Sequence, residues 1–464
     1  MKRFLLFNLF ILLSVCGTFR QASAWHLMGG ELTYVYDGST TGGDFYIVTL
    51  NVYRYCDSTA LPPTPLDPNM FLGIYPGDSA NPTSPLNWYE TEALTLIHSD
   101  FISYIPNNPL CSFTSSVCIE RGEYTATLLL PTNPGGFHLI VERCCRNNNI
   151  VNISNPGGAG MSFYAYIPPG IENSTPQITD VSVPYVCTSD TISLINNGYD
   201  PDGDSLVYSF ATPFNGNSNS GNPSPDPLTN NNPYTLPISD VTFAPGYSIS
   251  SIFGAGGYAS IDPLTGLTRY FVPNQGFYVV AIEIREYRNG VFISSMRRDL
   301  QFIAIACPQN NTPQFDIAAT PSTTFSVGEG QLLCFNATFN DPDGDSLYLS
   351  ASGPLLNGAI VNPPGTMSNQ SGSGTVTGQF CWTPTCGMSR SAPYQFSVTV
   401  TDNGCPQKST SQIFSVYVTA GPASLYPTVA VAQNPPGPLC QGSITSFIAN
   451  TTHAGNHPHF YWQV

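Results

Sequence analysis

The chain is poor in charge, and in basic charge above all. Fourteen Lys and Arg stand against 30 Asp and Glu in 464 residues, and charged residues make up 9% of the total, against about 25% in typical soluble domains. Three of the bases, Lys2, Arg3 and Arg20, fall in the opening segment and leave 11 for the rest. A surface of that sign repels nucleic acid and anionic lipid and attracts divalent cations, so nucleic acid is excluded as a partner. Past Ala24 no stretch approaches 18 uninterrupted apolar residues, so no transmembrane segment is expected in the mature chain. Helical periodicity is nearly absent. Gly-x-Ser-x-Gly, His-Glu-x-x-His and phosphate-loop patterns do not occur, so hydrolase and nucleotide chemistry lack their recognisable parts and the chain reads as no enzyme.

What is present is a repeat. Asp200-Pro-Asp-Gly-Asp-Ser-Leu206 recurs as Asp341-Pro-Asp-Gly-Asp-Ser-Leu347, and long-range self-similarity of this kind indicates tandem copies of one folding unit. Asn173-Ser-Thr-Pro-Gln177 precedes the first copy and Asn310-Asn-Thr-Pro-Gln314 the second, while Tyr278 to Glu286 returns at equal spacing as Tyr394 to Asp402.

Residues 1–24 read as a secretory signal peptide: Lys2 and Arg3, an apolar run from Phe4 to Val15, and Ala22-Ser-Ala24 as cleavage site. The run is short for a membrane anchor, and Val15 before Cys16 argues against lipidation. Twelve of the 13 cysteines lie beyond this segment, an even number that suits disulfides in an exported protein. Cys56, Cys111, Cys118, Cys144 and Cys145 lie early, Cys187 and Cys307 bracket the first repeat, Cys334, Cys381, Cys386 and Cys405 lie in the second, and Cys440 has no nearby mate. Cys381 with Cys386, and the vicinal Cys144 and Cys145, lack the spacing that zinc sites use. Connectivity is not readable from spacing.

Gln395–Thr401 alternates polar and apolar residues strictly, and Tyr278, Val280, Ile282 and Ile284 share one face of a second such run. Phe45–Tyr53, Tyr124–Leu130 and Phe414–Val418 are further β-branched and aromatic segments between Gly, Pro and Asn clusters. The fold class is therefore all-β: tandem β-sandwich, Ig-like or cadherin-like domains after an N-terminal β domain. Expected boundaries are 25–170 for a disulfide-containing N-terminal β domain, 171–308 and 309–420 for the two repeats, and 421–464 for the start of a further domain. Asn215–Pro233 reads as a long exposed insertion loop.

Asp-Pro-Asp-Gly is a good turn sequence in its own right. Three carboxylates within five residues repel one another, however, and neither loop contains Lys or Arg. Calcium, which takes six to eight oxygens in a flexible shell, is the natural compensator. The expected ligands are Asp200, Asp202 and Asp204 with Glu286 from a distant strand end, and Asp341, Asp343 and Asp345 with Asp402. A bare turn is the alternative. The pattern is not an EF-hand, because Ser205 and Ser346 stand where its glycine belongs.

The two acidic loops, Tyr394–Gly404 and Gln379-Phe-Cys-Trp-Thr-Pro384 resemble the cadherin-like and Ig-like repeats of bacterial surface proteins. Trp25-His-Leu-Met-Gly-Gly-Glu31, Val52–Cys56, Cys118-Ile-Glu120, Gly135–Leu139, Glu142-Arg-Cys-Cys-Arg-Asn147 and Glu286-Tyr-Arg-Asn-Gly290 are similar to the opening region of large Bacteroidetes proteins with PKD repeats, often described as gliding-motility-associated. The resemblance implies type IX secretion guided by a C-terminal sorting domain. Leu439–Phe447 and Phe460–Val464 look like the first strands of a PKD or Ig-like domain stopping at Trp462, so the sequence reads as truncated, with Cys440 paired beyond it.

Weaker candidates are His453, His457 and His459, read as a solvated turn, and His26 and His138, read as packing residues. Short Asp-Ser/Thr motifs at 57, 78 and 190 resemble O-glycosylation sites. Glu31, Glu120 and Glu142 would serve glycosidase chemistry only if two of them stood about 5 to 9 Å apart. The reading is a secreted or cell-surface non-catalytic protein with calcium-stiffened repeats, acting in adhesion or surface assembly. Its partners are other surface proteins or extracellular glycans. The alternative is a glycan-binding accessory protein of a secreted polysaccharide-degrading system, suggested by 25 Tyr, 27 Phe and 4 Trp.

Overall fold

The computed structural model describes residues 27–55, 66–78, 89–103, 118–178, 185–188, 190–218, 236–420, 428–434, 436, 438 and 444–452. The signal peptide, His26, Cys56, Cys111, Cys440, the three C-terminal histidines and Trp462 lie outside these residues. Among the described residues the only helical segments are two short 3-10 turns, Pro156–Gly158 and Pro354–Leu356, and no helix is long and apolar enough to cross a membrane. The all-β reading holds.

The five segments expected from alternation or from β-branched and aromatic content are strands: Gly43–Tyr55, Cys118–Leu130, Gly276–Arg288, Tyr394–Asp402 and Ser409–Thr419. In Gly276–Arg288 both faces are covered from 278 to 282. Tyr278, Val280, Ile282 and Ile284 are at most 1% exposed, and so are Val279 and Ala281. Over 278–282 the strand therefore lies between two cores, while beyond it half-buried Glu283 and exposed Arg285 share an outer face.

The second repeat is a sandwich. One sheet runs Gln314–Phe315, Leu333–Asn340, Thr375–Trp382, Thr366–Met367, and the other runs Thr324–Gly328, Ser409–Thr419, Tyr394–Asp402, Ser346–Ser352, Gln370–Ser373. Phe339, Leu349, Phe380, Trp382, Phe396, Val398 and Phe414 fill the space between them. The Cys334–Cys381 disulfide joins directly paired residues of two strands, which leaves Cys381 no role with Cys386 in a zinc site. The first repeat repeats the plan. In both, a short N-terminal strand lies parallel on the last strand: Tyr185–Cys187 on Val291–Ile305, and Thr324–Gly328 on Ser409–Thr419. The Cys187–Cys307 disulfide closes the first repeat over 120 residues.

The boundary expected near 170 falls inside one sheet. Its order is Ser205–Ala211, Gly276–Arg288, Val291–Ile305, Leu27–Thr40, Gly43–Tyr55, Cys118–Leu130, Glu90–Ser103, Asn69–Pro76, Phe137–Cys144, Gly160–Ile167. Two large, separate cores and two smaller clusters lie against this sheet. One large core holds Leu32, Val48, Leu50, Leu72, Tyr124 and Phe163, the other Tyr208, Phe253, Tyr270, Tyr278 and Phe302. The crossing between them is Gly29 paired with Leu300 and Gly30 with Asp299. A Cβ at Gly29 would stand 1.9 Å from the Asp299 carbonyl oxygen, so this approach requires glycine.

Two buried ion pairs hold the crossing. Arg298, fully buried, donates to Glu31 Oε2 at 3.2 Å and to Asn196 Oδ1 at 3.0 Å, and Tyr53 donates to Glu31 Oε1 at 3.2 Å. Arg146 spans both oxygens of Asp299 at 3.0 and 2.5 Å and also donates to the Gly160 and Phe214 carbonyls. Beside Arg146, Cys144 and Cys145 form a vicinal disulfide. The insertion at 215–233 is not free at its start. Asn215 accepts the Gly160 N–H at 2.8 Å and Asn217 N–H donates to Glu142 at 2.6 Å, so residues 215–218 are pinned to the N-terminal strands by polar contacts invisible in composition. Residues 219–235 lie outside the described set.

Removing one partner of a buried pair leaves the other charge uncompensated. Arg298→Met is expected to cost about 3–5 kcal/mol in denaturant unfolding, and Glu31→Gln with Arg298→Met distinctly less than the single change. Equal losses would show that the pair does not hold the crossing.

Candidate metal centres

Asp200 and Asp341 open two matching turns. Asp200 Oδ1 accepts the backbone N–H of Asp202 at 2.9 Å and of Asp204 at 3.0 Å. Asp341 Oδ1 accepts those of Asp343 and Asp345 at the same two distances. Gly203 and Gly344 donate to the Asp200 and Asp341 carbonyls at 3.2 and 3.3 Å with φ of +82° and +79°, a conformation that favours glycine. The backbone is thus the turn the sequence describes. The side chains do something more.

Three chain segments meet at each turn. The first is the acidic loop and the second a strand end. Register places Glu286 opposite Leu206 and Asp402 opposite Leu347, the leucines that close the seven-residue peptides. The third is the Asn-x-Thr-Pro-Gln segment. Asn173 Nδ2 donates to Glu286 Oε2 at 3.3 Å and Asn310 Nδ2 to Asp402 Oδ2 at 2.9 Å. The next backbone N–H, of Ser174 or Asn311, donates to Asp202 at 2.6 Å or to Asp343 at 2.7 Å. Every repeat mark found along the sequence therefore converges on one place in each repeat.

Carboxylate oxygens of Asp200, Asp202 and Asp204 lie within 4.8 Å of one another, as do those of Asp341, Asp345 and Asp402. Asp343 is drawn aside by Asn311, which donates to both of its oxygens. Glu286, buried completely, faces Asp200. Burial, and then the Asp200 carboxylate beside it, pushes Glu286 up to about 9. Burial lifts Asp200 and Asp402 to about 6 and raises Asp345, whereas the Asn311 N–H lowers Asp343. The upward shifts mark carboxylates whose charge the fold under-compensates. Asp200 Oδ2, Glu286 Oε1 and Asp341 Oδ2 are buried without a hydrogen-bond partner. An oxygen-only donor set with orphaned buried carboxylate oxygens fits calcium.

The two centres differ in one respect that the loop sequences hide. Arg288, two residues past Glu286, bonds Asp204 through Nε at 2.9 Å and Nη2 at 2.8 Å, reaches within 3.6 Å of Asp202, and donates to Asn173 Oδ1 at 3.1 Å. The compensating base absent from the loop comes from the strand. Its position in the second repeat is Gly404. Lys408 instead turns its ammonium to Asp190 of the first repeat at 2.5 Å and to the Asn310 carbonyl, while its backbone N–H donates to Asp402 at 2.8 Å. Thr312 also donates to Asp190, at 2.8 Å, and Asn197 donates to Gln395 at 2.7 Å. The linker that lines the second centre thereby also ties the two repeats. Between them lies a cavity of about 430 Å³ lined in part by Tyr199, Tyr394, Tyr417 and Arg390.

Asn173, Arg288, Asn310 and Lys408 were not named as site residues from the sequence. The two asparagines are visible there only as repeat marks, and Arg288 only as a neighbour of Glu286. The remaining candidates disperse: Glu31 pairs with Arg298, Glu120 with Arg54, and Glu142 with Ser162 and Asn217. His138 is pushed down to about 4 by burial and bonds the Tyr164 hydroxyl at 2.9 Å, as a packing residue should.

Compared with known proteins, residues 310–414 match the bacterial Ig domain family. A search of curated proteins gives no match. Solved structures aligning with the chain include titin Ig tandem domains A164-A165 (9% identity, 53% of this chain and 97% of that one, TM-score 0.18). Human CDH23 EC21-23 aligns at 15% identity over 58% and 83%, with TM-score 0.18. The sialic acid binding region of a Streptococcus sanguinis SK1 adhesin bound to 3'sLn aligns at 11% over 84% and 78%, with TM-score 0.20. Scores of this size carry no inference about function, and the bacterial Ig match is confined to the second repeat.

Proposed function

We propose that the chain is an exported, non-catalytic surface protein whose Ig-like sandwiches form a stiff unit for adhesion or surface assembly, with calcium at the acidic centres. The observation that carries this reading is the position of those centres. Each stands where the segment entering a repeat meets its acidic loop and a strand end, so a cation there would fasten the entry of one sandwich to its body. The bacterial Ig match of residues 310–414 and the Cys187–Cys307 and Cys334–Cys381 disulfides agree with an extracellular structural role. Type IX export and a gliding-motility setting belong to the same reading and rest on the sequence resemblance alone.

A second reading, glycan binding, is favoured by the cavity between the repeats. Arg390 stacks on Tyr394 at 3.8 Å from the ring centre, beside Tyr199 and Tyr417, and aromatic and guanidinium planes suit sugar faces. Binding of one defined glycan on an array, lost in Arg390→Ala, would favour this role. Silence across the array would remove it.

Thermal unfolding of the full chain with calcium and with chelator tests the principal reading. The full chain is required because excising the repeats would cut the pairing of Val291–Ile305 with Leu27–Thr40. A ligand that binds only the native state stabilises it by about 2.7 kcal/mol at one hundred times its Kd. A calcium-dependent rise in Tm that Asp200→Asn together with Asp341→Asn abolishes is expected. A Tm indifferent to calcium would reduce the acidic loops to turns.

A further inference from the structure

Seven identical residues do not make two identical sites, because the groups that face them differ. At the first loop a guanidinium already pairs with one of the three loop carboxylates and approaches a second, while Asp200 Oδ2 and Glu286 Oε1 stay unpartnered. Arg288 holds Asp204 by two donors, approaches Asp202 and takes the Asn173 side-chain oxygen. Asp204 is 7% exposed and lies behind it. A divalent ion entering there would have to detach Asp204 from Arg288 and then sit beside its positive charge.

The second loop has no such group; its counterpart position is Gly404, and Lys408 turns its ammonium to Asp190 and the Asn310 carbonyl. At Gly404 a Cβ would stand 2.2 Å from Asn310 Nδ2 and 2.5 Å from the other atoms of that side-chain amide. A side chain at 404 would have to displace the Asn310 amide, which donates to Asp402. Among the described residues, no Lys or Arg forms an ion pair with Asp341, Asp343, Asp345 or Asp402. Asp341 is 8% exposed with Oδ2 unpartnered, and half-buried Asp345 leaves a route from solvent. Asp402 is held in place by the Gly404 and Lys408 N–H groups and by Asn310.

We propose that Arg288 is the built-in cation of the first loop and that only the second loop takes a divalent cation, on Asp341, Asp345 and Asp402. The inference rests on the calcium reading above and narrows it to one centre. Its consequence is that the joint between the repeats responds to calcium, while the first repeat, fused to the N-terminal sheet, is set independently of it. Asn310 and Lys408 contact both the Asp402 carboxylate and the inter-repeat contact at Asp190, directly or through each other.

Hydrogen exchange of the full wild-type chain, with calcium or with chelator, locates the effect without any substitution. Calcium is expected to protect peptides covering 341–347 and 402–408 and to leave those covering 200–206 and 284–290 unchanged. Protection at both loops, or at the first alone, overturns the asymmetry and leaves the calcium reading standing. Protection at neither overturns both. Calcium titration of Arg288→Met by calorimetry gives the converse: the variant is expected to bind one more equivalent than wild type. A folded variant with unchanged stoichiometry would show that Arg288 does not stand in for a cation, and the exchange experiment remains decisive if the variant does not fold.

Discussion

Like charge held close together is the constraint around which this molecule is arranged. Each repeat gathers carboxylates at the point where its entering segment, its acidic loop and a strand end converge, and each must be compensated for the sandwich to close there. Backbone N–H groups supply part of the answer through the matching hydrogen bonds to Asp200 and Asp341. Asparagines of the entering segment supply another part. What remains differs between the repeats: in the first a guanidinium answers Asp204 while Asp200 Oδ2 and Glu286 Oε1 stay unpartnered, and in the second no guanidinium pairs with the acids and Asp341 Oδ2 stays unpartnered.

The same economy of charge governs the interior. With so few bases in the chain, several are spent where a charge must be buried: Arg298 on Glu31, Arg146 on Asp299, Arg288 on Asp204 and Lys408 on Asp190. Each of the first two pairs fastens the N-terminal strands to the first repeat, and the last fastens the first repeat to the second. Under the proposed reading stiffness would have three separate sources, a continuous sheet, a polar contact between repeats and a cation at the second acidic centre, of which only the last would depend on a ligand.

Strands, sandwich class and the acidic peptides were legible in the sequence because alternation and repetition are local properties. Gln395–Thr401 and Phe45–Tyr53 announce their conformation without reference to the rest of the chain. The shared sheet was not legible. Gly29 and Gly30 pair with Leu300 and Asp299, some 270 residues away, and two Gly–strand pairs leave no periodic trace. The strand-end acids Glu286 and Asp402 show in the alignment of the two repeats, whereas Arg288 reaches Asp204 across the sheet, a contact that no spacing along the chain reveals. Asp343, placed among the ligands on loop position alone, is held away from Asp341, Asp345 and Asp402 by Asn311, whose amide carries no sequence signal beyond standing in the repeated segment.

A cation held by three carboxylates at the second acidic centre is what sets the two repeats apart in the proposed reading. The most direct measurement is anomalous diffraction from crystals grown in calcium and soaked with terbium. The account predicts one strong peak between Asp341, Asp345 and Asp402 and a guanidinium, not a metal, beside Asp204. Density for water alone between those three carboxylates, with no anomalous signal, would contradict it.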